Sequence, residues 1–179
     1  MRQIGGVLAL AVLMLGAVSA MQKTTAMHPG TGGSPHVRTE WTIDGANISI
    51  EYGRPYIKGR PLGTLVPNGQ VWRAGADEAT TLKTDKALVF GNLTVPAGTH
   101  TLFIHAQPDK WQLAVNKQTG QWGTDYNAKN DLGRVDMNLE TAAKPVEQHT
   151  ISIDPQPGGG VLRIEWGPAR ATVPFKVQK

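Results

Sequence analysis

Polar and aromatic side chains crowd the segment Val71–Thr81, VWRAGADEATT, which sets a tryptophan, an arginine, two acids and two threonines between hydrophobic runs. Arg73 here, and Arg54 in the earlier run YGRPYIKGR, are candidate anion binders, because a guanidinium offers several donors in a fixed fork that matches carboxylate or phosphate. Lys58 adds a cation in the same run. Asp77 and Glu78 are adjacent, so in extended backbone they point to opposite faces and make a poor acid/base pair by themselves. Either can meet Glu51 or Asp131 across the fold, and either can pair with Arg73 to staple the loop. A second polar stretch, Asn116–Arg134, offers Trp122 and Tyr126 as an aromatic platform, with Asn116, Gln118 and Asp125 in reach of ligand hydroxyls. The competing reading of Trp122 is a plug over one end of the fold.

Other chemistries find little support. The chain has no cysteine, which removes disulfides, thiolate nucleophiles and Cys-type zinc sites together. Thr80 and Thr81 lack the adjacent base or free N-terminus that a threonine nucleophile needs, and as β-branched residues they suit the start of a strand. No G-x-S-x-G run occurs. His28 and His36 lie in or beside a polar N-terminal segment, His149 is isolated, and His100 and His105 fall on opposite faces of one strand. With no H-x-H or H-x-x-x-H spacing, neither metal nor cofactor is expected.

The elements that must position these residues alternate with period two. Val37, Thr39, Trp41 and Ile43 share a face, as do Ile48, Ile50 and Tyr52, with Asp44-Gly45 as a hairpin turn between them. Further runs cover Leu88–Val95, Thr99–Ala106, Trp111–Val115, Thr150–Ile153, Val161–Trp166 and Ala171–Val177. Trp41, Trp111 and Trp166 lie in such runs and are expected in the core. No stretch has convincing helical spacing; Asn127–Leu132 is a turn at most. The pattern predicts an all-β fold, an antiparallel two-sheet, jelly-roll-like β-sandwich of roughly nine strands with long polar loops.

Residues 1–20 read as a signal peptide: Arg2, an apolar run from Ile4 to Val18, and small residues at Val18-Ser19-Ala20. A secreted or periplasmic protein follows, with no stable membrane insertion after cleavage. Residues 21–36, rich in Gly, Pro, Thr and Ser, read as a flexible linker, and 37–179 as a single domain. The formal charge is +4, falling to +3 without Arg2. Lys and Arg are scattered among acids rather than gathered in a stripe, which argues against a nucleic-acid partner.

Four motifs occur in order: YGRPYIKGR (52–60), LVPNGQVWRAGADEATT (65–81), PAGTHTLFIH (96–105) and WQLAVNKQTGQWGTDYNAKNDLGR (111–134). Over residues 36–177 the chain resembles a family of secreted bacterial proteins, the domain of unknown function numbered 2911. The resemblance implies an exported β-sandwich-like domain and brings no established activity. The family motif usually carries Asn where Asp77 stands and Tyr where His100 stands.

The leading functional expectation is a binding module, whose two polar loops meet around a small polar, anionic or glycan-like ligand. Its candidate residues are Arg54, Lys58, Arg73, Asp77, Glu78, Asn116, Trp122 and Tyr126. One alternative is an envelope hydrolase using paired carboxylates. Another is a structural or interaction domain, in which the same arginines and acids form an internal network.

Overall fold

The structure, a computed structural model, describes residues 22–179. The expected signal peptide lies outside the described residues. Eleven strands run in chain order: β1 (Gln22–His28), β2 (His36–Ile43), β3 (Ala46–Gly53), β4 (Val71–Trp72), β5 (Thr81–Thr84), β6 (Leu88–Phe90), β7 (Leu93–Val95), β8 (Gly98–Ala106), β9 (Trp111–Asn116), β10 (Asp131–Gln156) and β11 (Gly159–Val177). One helical turn, α1 (Leu62–Leu65), and a 3-10 turn at Ala128–Asn130 complete the regular elements of the described residues.

All the pairings are antiparallel. The strands form one sheet in the order β1-β2-β3-β5-β8-β9-β10-β11-β6-β7, with β4 paired beside β8. Two separate sheets of roughly nine strands are thus replaced by a single eleven-stranded one that does not close on itself. The reason is β10. Its first part, Asp131–Met137, pairs with β9, and from Asn138 onward it pairs with β11, so one strand joins both parts of the sheet. The β10–β11 register shifts on either side of Val146, next to Pro145, a residue with no N–H to give to a ladder.

The sheet folds back so that its two ends share a core. β2 lies against β10 and β11. The Tyr52 hydroxyl on β3 donates to the Ile151 carbonyl on β10 at 3.2 Å and accepts the Ile151 N–H at 2.9 Å. The alternating faces fill this interior as their spacing predicts: Trp41, Ile43, Ile48, Ile50, Leu113 and Trp166 are all buried. Trp72, anchoring β4, stacks on Trp166 with ring centroids 5.6 Å apart and planes 13° apart.

One expectation fails at the N-terminal side. Residues 21–36, read as a flexible linker, contain β1, which pairs with β2 along its length. QKTTAMH shows no alternation because every residue of β1 is exposed. With no buried face, no apolar periodicity is needed.

Candidate functional site

Beyond Trp72 the chain leaves the sheet and returns at Thr81. The buried Thr80 hydroxyl closes this loop by hydrogen bonds to the Arg73 and Ala74 carbonyls at 3.1 and 2.9 Å. Ala74 and Asp77 adopt left-handed backbone, at φ 50° and 61°. The loop then lies along the second polar stretch. Glu78 pairs with Trp122 in an isolated antiparallel bridge, and the Gly123 N–H donates to the Asp77 carbonyl at 2.8 Å. A Cβ on Gly123 would collide with the Arg73 side chain and that carbonyl, so only glycine lets the two loops close. The loops expected to meet are brought together.

Arg73 does not staple its own loop through a carboxylate. Its Nη1 faces the Asp77 main-chain carbonyl at 3.4 Å. Among the described residues, the charged groups of Arg73, Lys58 and Arg60 have no carboxylate oxygen within 4.0 Å, although other arginines are paired and the Lys58 main-chain N–H donates to Glu147 Oε1 at 2.9 Å. All three line one cleft of about 270 Å³, together with Tyr56, Asp77 and the loop Thr31–Ser34. Arg60 is held in place by hydrogen bonds to the Ile57 and Tyr56 carbonyls at 3.0 and 2.6 Å. Of the four non-glycine residues at positive φ among the described residues, three (Lys58, Ala74 and Asp77) line or adjoin this cleft. Such backbone costs about 1–3 kcal/mol per residue and gathers at functional sites.

The left-handed turn at Asp77 also changes the geometry of the acids. Asp77 and Glu78 do not point apart. Asp77 Oδ2 and Glu78 Oε2 both approach His36 Nε2, at 3.3 and 3.4 Å. Asp77 Oδ2 in addition accepts the Thr31 N–H at 2.7 Å, which fixes the glycine-containing loop at the cleft edge. His28 stacks on His36 with centroids 4.2 Å apart. Donor atoms of His28, His36 and Glu78 lie within 4.8 Å of one another, a group able to hold a metal ion.

The remaining candidates serve other contacts. Arg54 turns away from Arg73: its Nε donates to the His149 carbonyl at 3.0 Å and its Nη2 to Thr150 Oγ1 at 3.0 Å, tying the end of β3 to β10. Asn116 is buried; its amide bonds the Asn127 carbonyl and Asp131 Oδ1, both at 2.9 Å. Trp122 is exposed and lies outside the cleft lining. Tyr126 donates to Asp131 Oδ2 at 2.6 Å and touches His105 Nε2 and Arg134 at 3.0 and 3.1 Å. Burial and the Asp131 hydrogen bond push the Tyr126 phenol up to about 12. Burial and then the Arg134 charge push the His105 imidazole below its ordinary value.

Of the acids considered for a hydrolase, Glu51 is ion-paired to Arg38 and Asp131 to Arg134. A wider groove of about 730 Å³ lies over the outer face of β2 and β3. There Arg38 meets Glu51, and Asn47 meets Asp85 at 2.7 Å, as on a solvated sheet face. Sequence reasoning missed Arg60, Tyr56 and the Thr31–Ser34 loop as cleft residues, and His28 and His36 as partners of Glu78. The one available signal was the glycine cluster at 30–33 between two histidines.

No curated protein and no solved structure matches the chain. The family model described as "Protein of unknown function (DUF2911)" matches residues 34–175, a span that includes Arg73, Asp77, Glu78 and both loops of the site. The chain therefore belongs to the DUF2911 family.

Proposed function

We propose that the protein is an exported binding module for a small anion, taken up in the cleft beneath Arg73. The observation that carries this reading is the convergence of Arg73, Lys58 and Arg60 on one cavity without a carboxylate partner for any of them. Cations that line one cavity repel one another, and a bound phosphate or carboxylate relieves that repulsion through charge-assisted hydrogen bonds. The size of the cleft fits a compact group better than a drug-sized ligand, whose pockets begin at about 300 Å³. A sugar carrying such a group is compatible with the polar lining, with its ring reaching out past Tyr56.

Thermal-shift and calorimetric titrations with inorganic phosphate, small dicarboxylates and phosphorylated sugars test the reading. At least one of them should raise the melting temperature, and Arg73→Ala should abolish the shift. The ligand-free melting temperature of that variant should stay near the parent's, since Arg73 forms no buried ion pair. A sharp drop in that temperature, of the size expected when a buried pair costing about 3–5 kcal/mol is broken, would instead make Arg73 part of an internal scaffold.

Export rests on Arg2, the apolar run from Ile4 to Val18 and the small residues before Met21. Intact mass measurement of the protein recovered from the periplasm or medium of a bacterial host should show a chain beginning near Met21. A full-length mass in that fraction would refute cleavage.

A further inference from the structure

The geometry points to a divalent metal site of the zinc type, formed by His28, His36 and Glu78 on the far side of Asp77 from the anion cleft. It rests on different residues from the anion reading and stands or falls separately.

The donors come together through a specific irregularity. β1 and β2 pair Ala26 with Val37, and a regular ladder would next set Met27 opposite His36. The register shifts between Ala26 and His28 instead, and His28 faces His36. Bulges re-aim side chains in this way and are common beside functional sites. Here the extra residue exchanges a thioether for an imidazole. Glu78 enters from the other loop because the left-handed Asp77 turns the chain toward His36.

The ligand set suits zinc. Two imidazoles and one carboxylate are a known three-residue set for zinc with an open fourth position, and they disfavour the hard oxygen-seeking cations. Tetrahedral zinc with ligands at about 2.0–2.1 Å holds its donors about 3.3–3.4 Å apart. His36 Nε2 and Glu78 Oε2 stand at 3.4 Å. The three donor residues line one cavity of about 130 Å³ together with Glu51, Tyr52 and Thr81, which leaves room beside them for water or a ligand atom.

His36 is the fixed member. It is buried, and a Cβ on Gly53 would meet its Nε2 at 2.6 Å, so its ring is packed against bare backbone. His28 is the adjustable member. Its ring is exposed and lies 20° from the plane of His36, whereas imidazoles that share one ion must turn their lone pairs toward it. Loading therefore tilts His28 out of the stack and releases its 3.3 Å contact with the Gly30 N–H. Asp77 Oδ2, 3.3 Å from His36 Nε2, supplies a second negative charge beside the ion.

Calorimetric titration of the purified, metal-stripped chain with Zn²⁺ should give one equivalent per chain, not displaced by excess Mg²⁺ or Ca²⁺. His28→Ala and Glu78→Gln alter exposed side chains and should leave the metal-free melting temperature near the parent's. Each should weaken Zn²⁺ at least about tenfold, since losing even an outer partner of a metal ligand costs about 10–100-fold. Absence of binding in the parent, or unchanged affinity in both variants, would overturn the site. The Arg73→Ala protein should keep its Zn²⁺ affinity, which separates this site from the anion cleft.

Discussion

His149 has no exposed surface and packs edge-on against Tyr52, Trp72 and Trp166. Its Nε2 lies 2.8 Å from the Ala74 carbonyl, so that nitrogen carries the proton and ties the Arg73 loop to β10. Burial drives its pKa down from 6.5 to about 4, against the upward pull of the Ala74 carbonyl. Above about pH 6.5 the imidazole is neutral in folded and unfolded chains alike, and its contribution to stability is complete. As pH falls from there toward 4, the unfolded chain takes up a proton that the folded chain refuses, which removes up to about 3 kcal/mol. Urea unfolding at pH 7 and pH 4.5 should show this loss in the parent. The His149→Gln protein, less stable throughout, should lose about 2 kcal/mol less across the same interval. Equal losses in the two proteins would assign the acid response to other groups. The cleft cations are distinguished instead by side-chain charges that lack a carboxylate neighbour.

At the scale of elements, the strands with one buried face were legible and those without one were not. Ile48, Ile50 and Tyr52 announce β3 because the core accepts every second residue, while Asn47 before them is exposed and Ser49 and Glu51 between them are half-buried. QKTTAMH has no such rule to obey, and β1 left no trace. The Asp44-Gly45 turn is read correctly because both residues sit at positive φ, at 48° and 73°, as a tight hairpin demands. The same conformation at Asp77 is invisible in ADEATT, and with it the convergence of two adjacent acids on one imidazole. The His28–His36 pair was hidden for a related reason. Their spacing means nothing until a hairpin closes, and the bulge that aligns them depends on backbone pairing rather than on residue type. Arg54 misled by its chemistry: the guanidinium that suits an anion serves equally well on a carbonyl and a hydroxyl of β10.

For the whole molecule, the all-β class follows from periodicity, but the continuity of the sheet does not. The sequence from Asp136 to His149 alternates poorly because β10 changes partner from β9 to β11 there and passes Pro145 with shifted register. Among the contacts that hold the folded-over sheet in alignment is the buried pair of hydrogen bonds between Tyr52 and Ile151. Removing the hydroxyl takes this partner from both backbone groups of buried Ile151, and leaving a buried donor or acceptor unsatisfied costs about 1–3 kcal/mol. Tyr52→Phe should therefore lower unfolding free energy by about 2–4 kcal/mol with little change of fold, as measured by urea denaturation and circular dichroism. A loss below about 0.5 kcal/mol would show that water or a neighbouring group replaces the hydroxyl.

β1 contributes no buried side chain and is held to the sheet on one edge only. Backbone amides protected by so little open first, long before the chain unfolds as a whole. The segment that presents His28 is thus a latch of low local stability on a rigid body. It turns occupancy at its tip into slower hydrogen exchange along Gln22–His28.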